Sequence, residues 1–200
     1  MIEDKDLTGA ESLRIIQQMI GAARDEHHEK GDGWLFWGWL LFIASVSSVI
    51  FSYLSLNRYI GYVWTGILII GPAIYFIWNF RKQKDTEVKT YVQDLLHKIS
   101  VAFYISLVVI IISGYFKVSS SFAFGYYYML YAFWMYIHGS ALRFKPLIAG
   151  AYINWAAAIL IFAIEPFRYD MMVSSVAVLF GYLVPGYMLK AAYNKRLMVK

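Results

Sequence analysis

Cysteine is missing altogether from the 200 residues, which removes disulfides, a thiol nucleophile and a zinc–thiolate site in one step. Charge is scarce as well: Asp, Glu, Lys and Arg make up 16% of the chain, and none of them falls inside any of its six longest apolar runs. Those runs therefore lack the carboxylate or cation on which coupling to protons or sodium commonly relies. Three catalytic signatures are also absent, namely the GxSxG elbow, HExxH and the Gly-Lys-Ser phosphate loop. No cofactor is expected.

The chain has apolar material instead. Hydrophobic residues make up 60% and aromatics 19%, and the mean hydropathy is +0.53, far from the balance of a soluble domain. The six uncharged runs are 34–56, 59–80, 99–116, 122–138, 147–164 and 171–189. At about 1.5 Å per residue they match a hydrocarbon core of roughly 30 Å, the fourth being marginal unless it extends past His138. The expected fold is an all-α integral membrane protein, a six-transmembrane-helix bundle. The break at Asn57 and Arg58 is read as a turn, because one helix from Trp34 to Phe80 would be about twice the length needed.

The net charge of +5 and pI near 9.2 do not point to nucleic acid, because the basic residues sit at the ends of apolar runs. Segments 1–33, 81–98, 139–146 and 190–200 carry four, five, two and four Lys or Arg, against one each in 57–58, 117–121 and 165–170. Positive charge is retained on the cytoplasmic side, so the expected topology is N-in/C-in. Gly139–Asn154 (GSALRFKPLIAGAYIN) and the ending GYLVPGYMLK are similar to stretches of small bacterial inner-membrane proteins. That resemblance implies a multi-pass inner-membrane location and assigns no residue a role.

Three units are expected: an N-terminal segment 1–33, the membrane domain 34–190 with its basic loop 81–98, and a basic tail 191–200. In the first, Thr8 and Glu11 have capping-box spacing, and Leu13, Ile16, Ile20 and Ala23 form an apolar stripe. This predicts a cytoplasmic or interfacial amphipathic helix. In the loop, Asp85 or Thr86 can cap a helix in which Val88, Val92, Leu95 and Ile99 share a face. The two greasy faces are expected to pack together, or the first to lie in the headgroup layer.

Within the runs, Ala44, Ser48 and Ser52, then Gly61, Gly66 and Gly71, then Ala177 and Gly181, read as packing seams for close helix approach. Pro72 and Pro185 each remove a backbone donor and should kink their helices, with a gating hinge as the functional alternative. Phe124, Tyr128, Tyr131, Met135 and His138 form one stripe, and buried tyrosines want partners, so it should face a protein seam or an aromatic cavity. Asn154, Tyr128, Tyr131 and His138 are thus the ligand or pathway residues, with Asn154 alternatively acting as interhelical glue. His97 and His138 are candidate metal ligands, against the plainer reading as polar helix ends. Glu165 and Asp170 flank Arg168, where a local salt bridge competes with an acid–base pair. Arg81, Lys82, Lys84, Lys190, Lys195 and Arg196 are expected to meet anionic lipid headgroups or a partner.

These features favour a non-catalytic regulatory or scaffold module. It would bind a partner membrane protein or self-assemble as a homo-oligomer through the N-terminal helix and basic loop. The alternative is a small-solute transporter or channel with an aromatic-lined pathway.

Overall fold

A long apolar stretch must satisfy its own backbone N–H and C=O groups, and helix is what every one of the six runs forms. The structure, a computed structural model, describes residues 31–82, 91–115, 120–164 and 166–198. The helices are α1 (Asp32–Tyr53), α2 (Asn57–Lys82), α3 (Tyr91–Tyr115), α4 (Ser120–Ala141), α5 (Lys145–Ala163), α6 (Phe167–Val178) and α7 (Val184–Leu197). A π-helical turn, Leu179–Leu183, joins α6 to α7 in one rod. Among the described residues there is no strand. Four helices are long and apolar enough to cross a membrane: α1, the Asp94–Ile112 part of α3, α5 and the rod Phe167–Lys195. Their outward side chains are greasy, with Ile105 and Ile159 each 60% or more exposed.

The connections are tighter than the sequence suggests. Asn57 and Arg58 are not the turn but the first residues of α2, and the reversal is made by Leu54–Leu56. Ser55 takes the left-handed conformation (φ 58°), and the Leu56 N–H donates back to the Phe51 carbonyl at 2.8 Å. Arg143 (φ 51°) does the same after α4, with the Phe144 N–H on the Gly139 carbonyl at 2.8 Å. Both are Schellman closures that satisfy the carbonyls a helix end leaves over. Each uses a side-chain-bearing residue where glycine is usual, at about 1–2 kcal/mol.

Pro185 accounts for the π turn. Its ring would collide with the carbonyl four residues back, that of Gly181, and widening the helix over Leu179–Leu183 relieves this. Pro72, by contrast, lies inside an unbroken α2. The chain enters α1 through Gly31 (φ 74°), against whose Cα the backbone of Gly186 and Lys190 packs. A Cβ there would stand 3.1 Å from the Lys190 nitrogen, so glycine is needed for both reasons. Lys190 and Asp32 close this end with an ion pair at 3.0 Å.

The core is built around α1, α4, α5 and the α6–α7 rod. Ala44, Ser45 and Ser48 on α1 are fully buried, as are Met171 and Ser174 on α6. The Phe124–His138 stripe of α4 faces inward, with Tyr128, Met135 and His138 buried. The small residues split. Ala44, Ser48, Ala177 and Gly181 are buried in seams, and Gly71 lies against Trp37 and Leu40. Gly61 and Gly66 have nothing within 4 Å of where a Cβ would stand, so they are not packing seams. The reason is that, among the described residues, α1 is the one helix whose backbone comes within 8 Å of α2, and α4 reaches it only through the Trp64–Phe124 ring contact at 5.0 Å.

The segment 1–30, with its expected amphipathic helix, and residues 83–90 of the basic loop lie outside the described residues. The rest of the loop is helical from Tyr91, eight residues ahead of the apolar run. There Asp94 and Lys98 pair at 2.7 Å across one turn, and Leu95 stands 44% exposed.

Candidate functional site

Consecutive helices normally pack on each other, but α2 and α3 do not. Among the described residues the backbone of each comes within 8 Å of one helix, α1 for α2 and α4 for α3, and no described Cα of one lies within 8 Å of the other. The space they leave, backed by α1, α4 and the start of α6, is a chamber of about 1040 Å³. That is at the upper end of the range for small-molecule sites, roughly 300–1,000 Å³.

Its walls are mainly rings and aliphatic chains. Trp37 and Leu41 come from α1; Ile60, Gly61, Trp64 and Leu68 from α2; Phe103, Tyr104 and Leu107 from α3; Phe124, Tyr127, Tyr128, Tyr131 and Trp134 from α4. Hydrogen bonds fix parts of this wall. Trp64 donates its indole N–H to Ser48 Oγ at 3.0 Å, tying α2 to α1. Tyr128 donates to the Ser174 carbonyl at 3.1 Å, tying α4 to α6. Trp134 donates to Ser100 Oγ at 3.3 Å, and Phe103 stacks on its ring at 4.9 Å, holding α3 to α4.

Among the described residues, Arg168 is the one charged residue lining the chamber. Pro166, in extended conformation, starts α6, and the Tyr169 N–H returns to its carbonyl at 2.9 Å, which sets Arg168 in the first turn. The guanidinium lies over the rings of Tyr53 and Tyr169 at 5.1 and 5.4 Å. Among the described residues it forms no ion pair, and its Nε is buried with no hydrogen-bond partner. The expected salt bridge with Asp170 does not form; Asp170 is fully buried in α6, and Glu165 lies outside the described residues. Trp37, at the other end of the chamber, also buries its indole N–H with no partner.

The chain matches no known family model, curated protein or solved structure. The site's geometry is therefore what a function has to be read from.

Of the residues picked out by sequence, Tyr128 and Tyr131 line the chamber together. Asn154 does not reach it. Its Nδ2 donates to the Gly150 carbonyl at 2.8 Å and approaches Met135 Sδ at 3.4 Å, where α5 crosses the π turn. His138 lies between Trp34 and Trp134, with Nδ1 3.0 Å from the Trp134 carbonyl and Nε2 3.5 Å from Ser100 Oγ. His97 is exposed on α3. Among the described residues no three His, Asp or Glu side chains gather as a metal would require. Lys190 is spent on Asp32, Lys195 is exposed, Arg81, Lys82 and Arg196 lie on helices, and Lys84 is outside the described residues.

Sequence reasoning missed Trp37, Gly61 and Arg168. Trp37 and Gly61 share their spacing with ordinary helix-packing positions, and Arg168 sits between two carboxylates in sequence. Only the separation of α2 from α3 brings them to one space.

Proposed function

We propose that this is a non-catalytic, six-span protein of the bacterial inner membrane that holds one apolar or amphiphilic molecule in its chamber, taken sideways from the bilayer. The observation that carries this reading is the chamber itself, walled by aromatic side chains between two helices that do not meet. A space of that kind at membrane depth is solvated by hydrocarbon, so an apolar ligand loses little by entering and gains ring contacts. Native mass spectrometry of the protein released from its membrane should show one retained molecule. Gly61→Trp, whose side chain meets no wall residue near its Cβ, should fill the space and lose that molecule while the melting temperature holds. Equal retention by both proteins would sink the reading.

The six-span N-in/C-in topology rests on the distribution of Lys and Arg, fifteen of 18 on one set of loops. A reporter fused at position 90 is expected to be accessible only from the cytoplasm, and labelling from the periplasm would reverse it. In this arrangement Arg81, Lys82, Lys84, Lys195 and Arg196 face anionic headgroups of the inner leaflet. A scaffold role is supported separately by α3, which begins eight residues before its apolar run and exposes Leu95 there, a surface a second copy or a partner protein can use.

A further inference from the structure

The chamber is apolar along its length and cationic at one end. Trp37 and Ser52, the latter beside Tyr53, mark its two ends along α1, 15 residues apart, which is about 22 Å at 1.5 Å per residue. One leaflet's hydrocarbon is roughly 15 Å deep, so an acyl chain of ordinary length fits with room to spare. At the Tyr53 end stands Arg168, whose Nε–H is buried and unmatched and which forms no ion pair among the described residues. The rings of Tyr53 and Tyr169 hold the guanidinium in place without neutralising it. A planar cation with an unused donor, at the mouth of a hydrocarbon-lined space, is complementary to a phosphodiester.

Resting on the reading of the chamber as a ligand site, we propose that its occupant is an anionic phospholipid, one chain in the chamber and the phosphate on Arg168. Entry is lateral, between α2 and α3, because a lipid can slide through that gap without leaving the bilayer. A zwitterionic lipid carries the same phosphate but brings its own cation, which Arg168 opposes.

The test equilibrates the full-length protein with vesicles of equal phosphatidylglycerol and phosphatidylcholine and counts retained lipid by native mass spectrometry. Wild type should keep one lipid, phosphatidylglycerol in preference. Arg168→Gln should keep a lipid but lower the phosphatidylglycerol-to-phosphatidylcholine ratio about tenfold, the loss of one charge-assisted hydrogen bond. Arg168→Lys, which retains the charge and loses the fork, should fall between them and guards against a folding defect in the first variant. Lipid held at the basic tail is untouched by any of these changes. Retention by wild type without preference, or a preference that survives Arg168→Gln, overturns the assignment of Arg168 and leaves the chamber standing. Retention that also survives Gly61→Trp overturns the chamber and this proposal with it.

Discussion

Gly150→Ala is expected to cost about 2–6 kcal/mol and to lower the melting temperature sharply, and Gly150→Leu to cost more. At this position a Cβ would overlap the carbonyl oxygen of Gly181 and stand 2.9 Å from Met135 Cε. The first of these is backbone, which has no rotamer to escape into, so α5 and the π turn would have to part. Parting them also disturbs Asn154, whose amide bonds the Gly150 carbonyl at 2.8 Å and packs against Gly181. Overpacking of this kind costs about 1–3 kcal/mol and a stranded buried amide about 1–3 more. Against a total stability of about 5–15 kcal/mol that is a large share. Thermal melting and size-exclusion profiles in detergent would read it. Gly66→Ala is the control, since its Cβ meets nothing within 4 Å, and it should melt at or slightly above wild type. Matched melting of Gly150→Ala and Gly66→Ala would mean that α5 does not cross the π turn at that contact.

The contrast between those two glycines shows what the sequence could reveal. Helix existence was legible, because uncharged runs of bilayer length have one backbone solution, and so was the inward face of α4, where Tyr128, Met135 and His138 recur at helical spacing. A kink was expected at Pro185 from its missing N–H and its ring, and what stands there is the π turn Leu179–Leu183, a form the sequence rule does not specify. Which glycine touches a neighbour was not. Gly61, Gly66 and Gly71 sit in the same apolar run, and of the three only Gly71 meets another helix, because among the described residues the backbone of α2 approaches that of α1 alone. The turn after α1 was misplaced for a similar reason: Asn57 and Arg58 look like turn residues by type, while Ser55 adopts the left-handed conformation its type disfavours. The chamber depends on two helices failing to pack, and no residue pattern in either helix encodes a contact that is not made. Arg168 was hidden by its neighbours in sequence, Glu165 and Asp170, until the fold turned it toward Tyr53.

Trp34→Ala is expected to lower stability by about 3 kcal/mol and to loosen the chamber wall on the side away from the substitution. Trp34 is 1% exposed, and its ring centroid lies 4.5 Å from that of Trp134, 5.1 Å from Tyr182 and 6.0 Å from His138. It is thus the piece common to α1, α4 and the π turn. In a soluble core such a truncation costs about 3–5 kcal/mol, part of it transfer from water. Within a bilayer the transfer part shrinks, while the lost ring contacts and the void remain, which places the effect at the lower end of that range. The consequence reaches α3 because Trp134 is the residue on which α3 depends. It stacks on Phe103 at 4.9 Å and bonds Ser100 at 3.3 Å, and among the described residues α4 is the one helix whose backbone comes within 8 Å of α3. Taking away the ring behind Trp134 should therefore raise hydrogen exchange along α3 more than along α5, together with the drop in melting temperature. Trp34→Phe keeps an aromatic face toward Trp134 and should cost about 1 kcal/mol with little change in exchange. A uniform rise in exchange across all helices would mean that Trp34 only fills space and does not brace the wall between α3 and the chamber.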